Sequence, residues 1–189
     1  MSKYPHSSIV GADRMDSIRL QLSNTQDLGG ACAEVGVYKG GTAELIAINR
    51  KERPLYLFDT FSGIPYSGNH DNHHKMGDFN DTSFENVCDR LAKYEGVSVH
   101  KGIFPDDTGS VIDNVEFSFV HLDVDVYESY ISALNVFWPK MIKGGIIICD
   151  DYNFDTCLGA KVAVDEFFES KPEKDHNTIR HGSLVVKKL

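Results

Sequence analysis

Four aspartates stand directly after two apolar runs of the sequence. Asp123 and Asp125 follow the first run, and Asp150 and Asp151 follow the second. Carboxylates packed closely together repel one another unless a cation neutralises them. Three oxygen donors with room for water suit an octahedral Mg²⁺ ion, which Mn²⁺ could replace, whereas Zn²⁺ prefers nitrogen or sulfur. We therefore predict that Asp123, Asp150 and Asp151 bind magnesium.

A glycine-rich turn earlier in the chain could hold a cofactor. The segment Glu34-Val35-Gly36-Val37-Tyr38-Lys39-Gly40-Gly41-Thr42 leaves an apolar run and enters a helical pattern. Such turns let backbone approach a ligand closely, and they bind NAD, FAD, nucleotides or S-adenosylmethionine alike. The spacing is not G-x-G-x-x-G, and a carboxylate at Glu34 would repel a pyrophosphate but accept from an amino group. We therefore predict an S-adenosylmethionine site that includes Glu34, Gly36, Gly40 and Thr42.

Two later segments extend this predicted cofactor site. Asp59 ends the next apolar run, nineteen positions after Gly40, where an acidic residue commonly binds the ribose hydroxyls. Alternatively, Asp59 caps the segment that follows it. Gly102 and Phe104 lie in the turn after the third predicted strand, where adenine would contact backbone and an aromatic ring. Phe104 could equally belong to the hydrophobic core.

The elements that must position these residues alternate between short β-branched runs and segments of helical period, as in a parallel sheet flanked by helices. Strands are predicted over residues 31–37, 55–58, 97–100, 117–122 and 145–149, with a terminal hairpin of 178–180 and 184–187. Helices are predicted over residues 42–50, 127–141 and 160–168, and another after Thr82-Ser83-Phe84-Glu85, which has the form of a capping box.

Five β/α units and a hairpin are the count expected of the Rossmann-like methyltransferase fold. This α/β fold has a seven-stranded, mostly parallel sheet in the order 3-2-1-4-5-7-6, with helices on both faces. The fourth and fifth strands are then neighbours, and their carboxyl ends bring the four aspartates to the crevice where ligands bind. Alternatively, Asp150 and Asp151 cap the next segment and Asp125 is surface charge, but four acids at two adjacent strand ends disfavour this interpretation.

Residues 61–81 fit neither a helical nor a strand period. The stretch is rich in glycine and asparagine and contains His70, His73 and His74. A loop of this length inside a compact domain is usually functional or disordered. The histidines could bind a transition metal, but in an irregular loop we interpret the segment as a lid that contacts substrate.

Composition excludes several classes of protein. The 189 residues suffice for one domain, 1–189, and the net charge of −9 with no basic stripe argues against nucleic acid as a partner. The apolar runs are too short to cross a membrane, and Met1 to His6 contain no signal-peptide stretch. Four widely spaced cysteines are expected to be reduced. We predict a cytoplasmic protein.

Several of these motifs together resemble the macrocin O-methyltransferase family of antibiotic and deoxysugar O-methyltransferases. They occur in family order between about Cys32 and Phe168, and several motifs in order are more specific than any one. The matching segments are Glu34 to Gly41, Asp59-Thr60-Phe61-Ser62-Gly63-Ile64-Pro65, Gly102-Ile103-Phe104, Leu122-Asp123-Val124-Asp125-Val126-Tyr127-Glu128-Ser129 and Asp150-Asp151-Tyr152.

This resemblance implies a Mg²⁺-dependent transfer of methyl from S-adenosylmethionine to a hydroxyl, typically on a sugar or glycosylated small molecule. It implies metal ligands at the positions of Asp123, Asp150 and Asp151, and a homodimer or larger assembly. Such a transfer needs alignment and a deprotonated acceptor. The acceptor proton could leave to Asp123 or to Asp125, and we favour Asp123. His121 faces the same side of its strand as Asp123, and we interpret it as a hydrogen-bonded core residue.

Two features depart from related enzymes. The segment before Ala31 is short, so we expect the N-terminal elements that cover the active site to be abbreviated. Catechol-type relatives carry lysine three positions after the first metal aspartate, where this chain has Val126.

Two alternative functions stay open. A short-chain NAD(P) oxidoreductase would need Tyr-x-x-x-Lys, which none of the eight tyrosines provides. A non-catalytic cofactor-binding domain would not need the four acids.

Overall fold

The computed structural model of the protein describes residues 9–189, apart from the side chain of His176. Residues 1–8, where the sequence predicts no signal peptide, lie outside the described range. The helices are α1 (Ala12–Asn24), α2 (Gly41–Asn49), α3 (Phe84–Leu91), α4 (Tyr127–Lys140) and α5 (Leu158–Phe168), with short 3₁₀ helices at Gly109–Ile112 and Pro172–His176. The strands are β1 (Ala31–Val35), β2 (Leu55–Asp59), β3 (Val97–Lys101), β4 (Phe117–Leu122), β5 (Met141–Cys149), β6 (Asn177–Arg180) and β7 (Ser183–Lys187).

The strands form one seven-stranded sheet in the order β3-β2-β1-β4-β5-β7-β6. Strands β1 to β5 pair in parallel, and β7 runs antiparallel to β5 and β6. Every residue of β1 and β4 is buried, as expected where helices cover both faces of a parallel sheet. The predicted fold class and strand order are confirmed.

Hydrophobic layers pack on the two faces of this sheet. Helices α4 and α5 contribute Phe137 and Phe168 to one layer, whereas α1, α2 and α3 contribute Ile18, Ile46 and Leu91 to the other. Among the described residues, no helix is both long and apolar enough to span a bilayer.

Helix α1 lies in the segment before Ala31 and was not predicted. Met15, Ile18 and Leu22 are buried on one side of it, at the three- and four-residue spacing of a helix. Its N-cap, Gly11, makes no side-chain hydrogen bond, so the usual start signal is missing. The apolar spacing alone could have revealed this helix.

Several element boundaries differ from the predictions, and the starts of α3 and β5 show the reason. The N-cap of α3 is Ser83, whose hydroxyl accepts from the backbone of Asn86, whereas the hydroxyl of Thr82 donates to the carbonyl of Tyr38. The capping-box assignment to Thr82 was therefore one residue early. Strand β5 begins at Met141 rather than Gly145, since Met141 already pairs with Phe117 of β4.

Residues 60–83 contain no helix or strand, and the chain here folds back over the carboxyl ends of the strands. Ile64 and Asp78 are joined by a backbone hydrogen bond of 2.9 Å across the loop. Asp71 accepts a 3.0 Å hydrogen bond from the backbone of Tyr127, the first residue of α4. The loop is thus tied to the domain at its middle, and its role as a lid stays a prediction.

Candidate active site

The tips of β1 and β4 touch at Gly36 and Asp123. Gly36 has a φ of +88°, and a Cβ there would lie 1.8 Å from the carbonyl oxygen of Asp123. The Asp123 amide also donates to the Val35 carbonyl at 3.0 Å. Only glycine fits this approach, so Gly36 positions the first predicted metal ligand as well as opening the turn.

An open cavity lies along the carboxyl ends of β1, β2 and β4. Its wall includes seven residues predicted to act in the site: Gly36, Thr42, Asp59, Gly102, Phe104, Asp123 and Asp125. Ile64, Pro65 and Phe79 of the 60–83 loop cover it with apolar side chains. The structure therefore brings most of the predicted cofactor and catalytic residues to one cavity.

Asp59 binds backbone as well as lining the cavity. Its Oδ2 accepts from the amides of Val37 and Tyr38, both at 2.8 Å, and its Oδ1 accepts from the amide of Phe61 at 2.6 Å. A carboxylate oxygen has two lone pairs, so Oδ2 is fully used and Oδ1 can accept one more hydrogen bond. Asp59 thus fixes the glycine turn and keeps a single acceptor direction for a ligand.

Phe104 belongs to both the core and the cavity wall. Its ring stacks on Phe137 at a centroid distance of 5.1 Å and contacts Phe58 at 4.7 Å. Gly102, at the end of the preceding strand, has a φ of +149°, and a Cβ there would lie 2.7 Å from Asp107. The core interpretation of Phe104 is therefore confirmed, and its place in the cavity wall leaves contact with adenine as a prediction.

The structure does not bring two predicted cofactor residues to the cavity wall. Glu34 is fully buried, and its Oε1 lies 2.9 Å from Nδ1 of His121. Gly40 is the left-handed N-cap of α2, where a Cβ would meet Arg90 and Val87. A strand residue alternates its direction, so Glu34 turns into the layer beside β4 rather than outward, and Gly40 serves the helix start.

Three carboxylates gather at the tips of β4 and β5. One oxygen each from Asp123, Asp150 and Asp151 lies within 4.8 Å of the others. Burial and the neighbouring Asp150 raise the pKa of Asp151 to about 6. Burial, Asp150 and Asp151 raise the pKa of Asp123 well above its ordinary value. The carboxylates of Asp123 and Asp151 therefore have too little positive charge nearby to offset their burial and mutual repulsion.

Asp151 is held by groups that leave one of its oxygens unused. Its Oδ2 accepts from the amides of Val124 and Asp125, at 3.2 and 2.9 Å, and lies 2.8 Å from the hydroxyl of Tyr130. Tyr130 of α4 was not among the predicted site residues. Because its hydroxyl also lies 2.8 Å from the Leu122 carbonyl, Tyr130 joins the tips of both strands.

Asp150 is surrounded by donors from three other elements. Ser183 of β7 donates to Oδ1 at 2.8 Å, and Arg14 of α1 donates to Oδ2. His121 Nε2 lies 3.6 Å from Oδ1. Sequence reasoning missed Arg14 because it missed α1, and it could not pair β7 with this strand tip.

A buried polar chain runs from Glu34 through His121 to Asp150. Burial alone would lower the pKa of His121, but the nearby carboxylates of Asp150, at 3.6 Å, and Glu34, which is hydrogen-bonded to the ring, hold it well above its ordinary value. The same interactions, with Arg14 and Ser183, lower the pKa of Asp150 against its burial. His121 is therefore a hydrogen-bonded core residue that stabilises the charge of Asp150.

The donor set fits a hard divalent cation. Asp123 lines the cavity, Asp151 has a free oxygen, and Asp150 needs only to exchange Arg14 for another cation. Carboxylate oxygens without nitrogen or sulfur suit Mg²⁺ or Mn²⁺. The cavity can hold a cofactor, and the three carboxylates can hold an ion beside it, where Asp123 lines the cavity wall.

Comparison with known proteins identifies the group to which this chain is related. Residues 4–179 match the family described as Macrocin-O-methyltransferase (TylF). The chain belongs to the macrocin O-methyltransferase family. The predicted family and enzyme class, an S-adenosylmethionine-dependent O-methyltransferase, are thereby confirmed.

Two curated O-methyltransferases align with most of the chain. A demethyldecarbamoylnovobiocin O-methyltransferase of Streptomyces niveus is 29% identical over 179 residues, which are 85% of this chain and 67% of that protein. An 8-demethyl-8-(2,3-dimethoxy-alpha-L-rhamnosyl)-tetracenomycin-C 4'-O-methyltransferase of Streptomyces olivaceus is 28% identical over 172 residues, 81% of this chain and 65% of that protein. The chain thus spans about two thirds of these relatives.

A solved O-methyltransferase structure has the same fold. The O-methyltransferase NovP superposes with a TM-score of 0.82 and 25% sequence identity, covering 96% of this chain and 81% of that one. The Rossmann-like arrangement of sheet and helices is therefore shared over nearly the whole chain.

Proposed function

We propose that this protein transfers methyl from S-adenosylmethionine to a sugar hydroxyl of a glycosylated molecule, and that Mg²⁺ is required. The observation that carries the proposal is a cavity whose wall includes Asp123, which has an oxygen within 4.8 Å of oxygens of Asp150 and Asp151. The sugar is supported by a relative whose name specifies methylation on a rhamnosyl group. This chain aligns with 65% of that relative. The sugar acceptor is therefore proposed for this chain.

The cavity residues divide between cofactor and acceptor. We assign Gly36, Thr42 and Gly102 to backbone and side-chain contacts with the cofactor, Asp59 to one ribose hydroxyl, and Phe104 to the adenine face. Ile64, Pro65 and Phe79 exclude water from above. Glu34 acts behind the cavity by orienting His121.

Asp123, Asp150 and Asp151 would hold the ion, and Asp125 or Asp123 would accept the proton of the acceptor hydroxyl. When bound, S-adenosylmethionine supplies an electrophilic methyl group, and Mg²⁺ supplies positive charge that lowers the pKa of a hydroxyl. If Asp123 serves as a ligand, Asp125 is left as the proton acceptor, since it lines the same cavity. This assignment reverses the preference for Asp123 that the sequence suggested.

The proposal is tested by supplying labelled S-adenosylmethionine with a panel of glycosides and their matched aglycones. We expect label on glycosides only, with Mg²⁺ present, and loss of turnover in Asp150→Asn although S-adenosylhomocysteine binds as before. Unchanged turnover after exhaustive chelation would exclude the metal. Calorimetry that detects NAD⁺ binding but no S-adenosylhomocysteine binding would exclude the methyl donor.

A further inference from the structure

A second group of metal-ligating side chains lies beside the carboxylates and differs from them in chemistry. His74 of the 60–83 loop, Asp125 after β4 and Cys157 before α5 place a ring nitrogen, a carboxylate oxygen and a sulfur within 4.8 Å of one another. Three separate parts of the chain converge here. Only His74 belongs to the histidine group noted in the sequence, and Cys157 gave no signal there because its partners are distant along the chain.

The distances within this group match those of a tetrahedral metal site. His74 Nε2 lies 3.5 Å from Cys157 Sγ, and Asp125 Oδ1 lies 3.7 Å from each of these atoms. Zinc bonds of about 2.0–2.3 Å at tetrahedral angles place donor atoms about 3.4–3.6 Å apart. The three donors already have the spacing that an ion at their centre would impose, within a few tenths of an ångström.

The surroundings of the group also suit a cation. The side chains of His74 and Asp125 are 13% and 20% exposed, and Cys157 is buried. The thiol proton of Cys157 can be donated either to the carboxylate of Asp125 or to the ring nitrogen of His74, but not to both. The carboxylate of Asp78 lies 3.9 Å from His74 Nδ1, on the side where metal-bound histidines usually have an acidic partner.

We propose that His74, Asp125 and Cys157 form a second cation site that takes Zn²⁺, or another ion that prefers nitrogen and sulfur, with water as the fourth ligand. The thiol proton leaves to solvent when sulfur coordinates the ion. One thiolate and one carboxylate balance the charge of a divalent cation. Bound zinc ties the 60–83 loop to the tip of β4 and occupies Asp125, the carboxylate proposed above to accept the acceptor proton, so zinc-loaded protein should be inhibited in methyl transfer. The hard ion proposed for the three aspartates has no affinity for such a donor set.

The test is a titration of the reduced, metal-free protein with Co²⁺ in excess Mg²⁺, which keeps the aspartate site occupied. We expect a thiolate-to-cobalt charge-transfer band and tetrahedral visible bands that saturate at about one ion per chain, and their loss on addition of Zn²⁺. Absence of the charge-transfer band in the unaltered protein would overturn the proposal.

Matched variants locate the ion. Cys157→Ser should abolish the charge-transfer band, whereas Cys88→Ser, which removes a half-buried thiol on α3, should leave it intact. His74→Asn should weaken Co²⁺ binding at least tenfold, and His73→Asn should not. A band that survives in Cys157→Ser or disappears in Cys88→Ser would refute the site. Binding of S-adenosylhomocysteine by each variant verifies its fold.

This outcome is separable from that of the proposed methyl transfer. Asp150→Asn removes a ligand of the aspartate site but touches none of the three residues proposed for zinc. We expect its cobalt spectrum to equal that of the unaltered protein. The cobalt titration can therefore detect the zinc site in a protein that fails the methyl-transfer assay. Equally, methyl transfer can be measured in a protein that shows no zinc site.

Discussion

The guanidinium group of Arg14 binds the carboxylate of Asp150, so a cation of the protein occupies one oxygen of a proposed metal ligand. Arg14 lies on α1 and is partly exposed, whereas Asp150 is fully buried at the tip of β5. A buried carboxylate needs a positive partner, and either an arginine or a metal ion can provide it. We therefore expect magnesium to compete with Arg14 for Asp150.

Replacing Arg14 by methionine separates these two partners. Without metal, Arg14→Met should lower the free energy of unfolding by about 2 kcal/mol, because Asp150 loses a charged donor. Adding Mg²⁺ should then raise the melting temperature more than it does in the unaltered protein. Calorimetry with EDTA and with Mg²⁺ measures both effects. Arg19→Met on the same helix removes only a surface pair with Asp16 and is the control. Equal magnesium shifts in the two variants would contradict the competition.

Glycine at position 36 is required by space as well as by conformation. Gly36 and Gly77 share a φ of +88°, but a Cβ meets a carbonyl at 1.8 Å in the first and nothing within 4 Å in the second. Gly77→Ala should cost about 1 kcal/mol of unfolding free energy, from the left-handed conformation alone. Gly36→Ala should cost at least about 3 kcal/mol, because the tip of β4 must move as well. Urea unfolding measures the free energy of unfolding of both variants. Similar losses in the two would show that the contact between β1 and β4 adjusts to an added methyl group at little cost.

The hydroxyl of Tyr130 should matter for the ion although it reaches neither cavity nor cofactor. Tyr130→Phe removes a group that fixes Asp151, and loss of such support typically weakens metal binding by about 10-fold to 100-fold. We expect weaker Mg²⁺ binding by calorimetry and unaltered S-adenosylhomocysteine affinity. Tyr127→Phe, whose hydroxyl contacts the exposed Glu166 at 2.7 Å, should change neither. A purely structural role for Tyr130 would instead lower stability and leave the ion's affinity unchanged.

The sequence predicted the sheet because its signals are local. Apolar runs, glycine turns and the helical period of α4 each specify an element without reference to the rest of the chain, and the parallel order follows from their alternation. The four acids could be placed together because both runs end at the same edge of the sheet. Asp59 also fell where topology requires it, and its hydrogen bond from the Phe61 amide agrees with the alternative that it caps the following segment.

Contacts between distant segments escaped prediction. The pairs of Arg14 with Asp150 and of Ser183 with Asp150 depend on how α1 and β7 pack against β5, which no short pattern encodes. Glu34 was assigned to the cofactor from its position next to the turn, but a strand residue can face either side. In the structure Glu34 faces His121, and Oε1 of Glu34 and Nδ1 of the buried histidine are hydrogen-bonded to each other.

The central claim is that the tips of β4 and β5 hold one hard divalent cation at the end of the cofactor cavity. Crystals grown with S-adenosylhomocysteine and Mn²⁺, with diffraction recorded where manganese scatters anomalously, test it most directly. We expect an anomalous peak for a manganese ion bound by Asp123, Asp150 and Asp151, with Arg14 displaced from Asp150. Crystals in which S-adenosylhomocysteine fills the cavity, Arg14 still binds Asp150 and no manganese lies between the three carboxylates would contradict it.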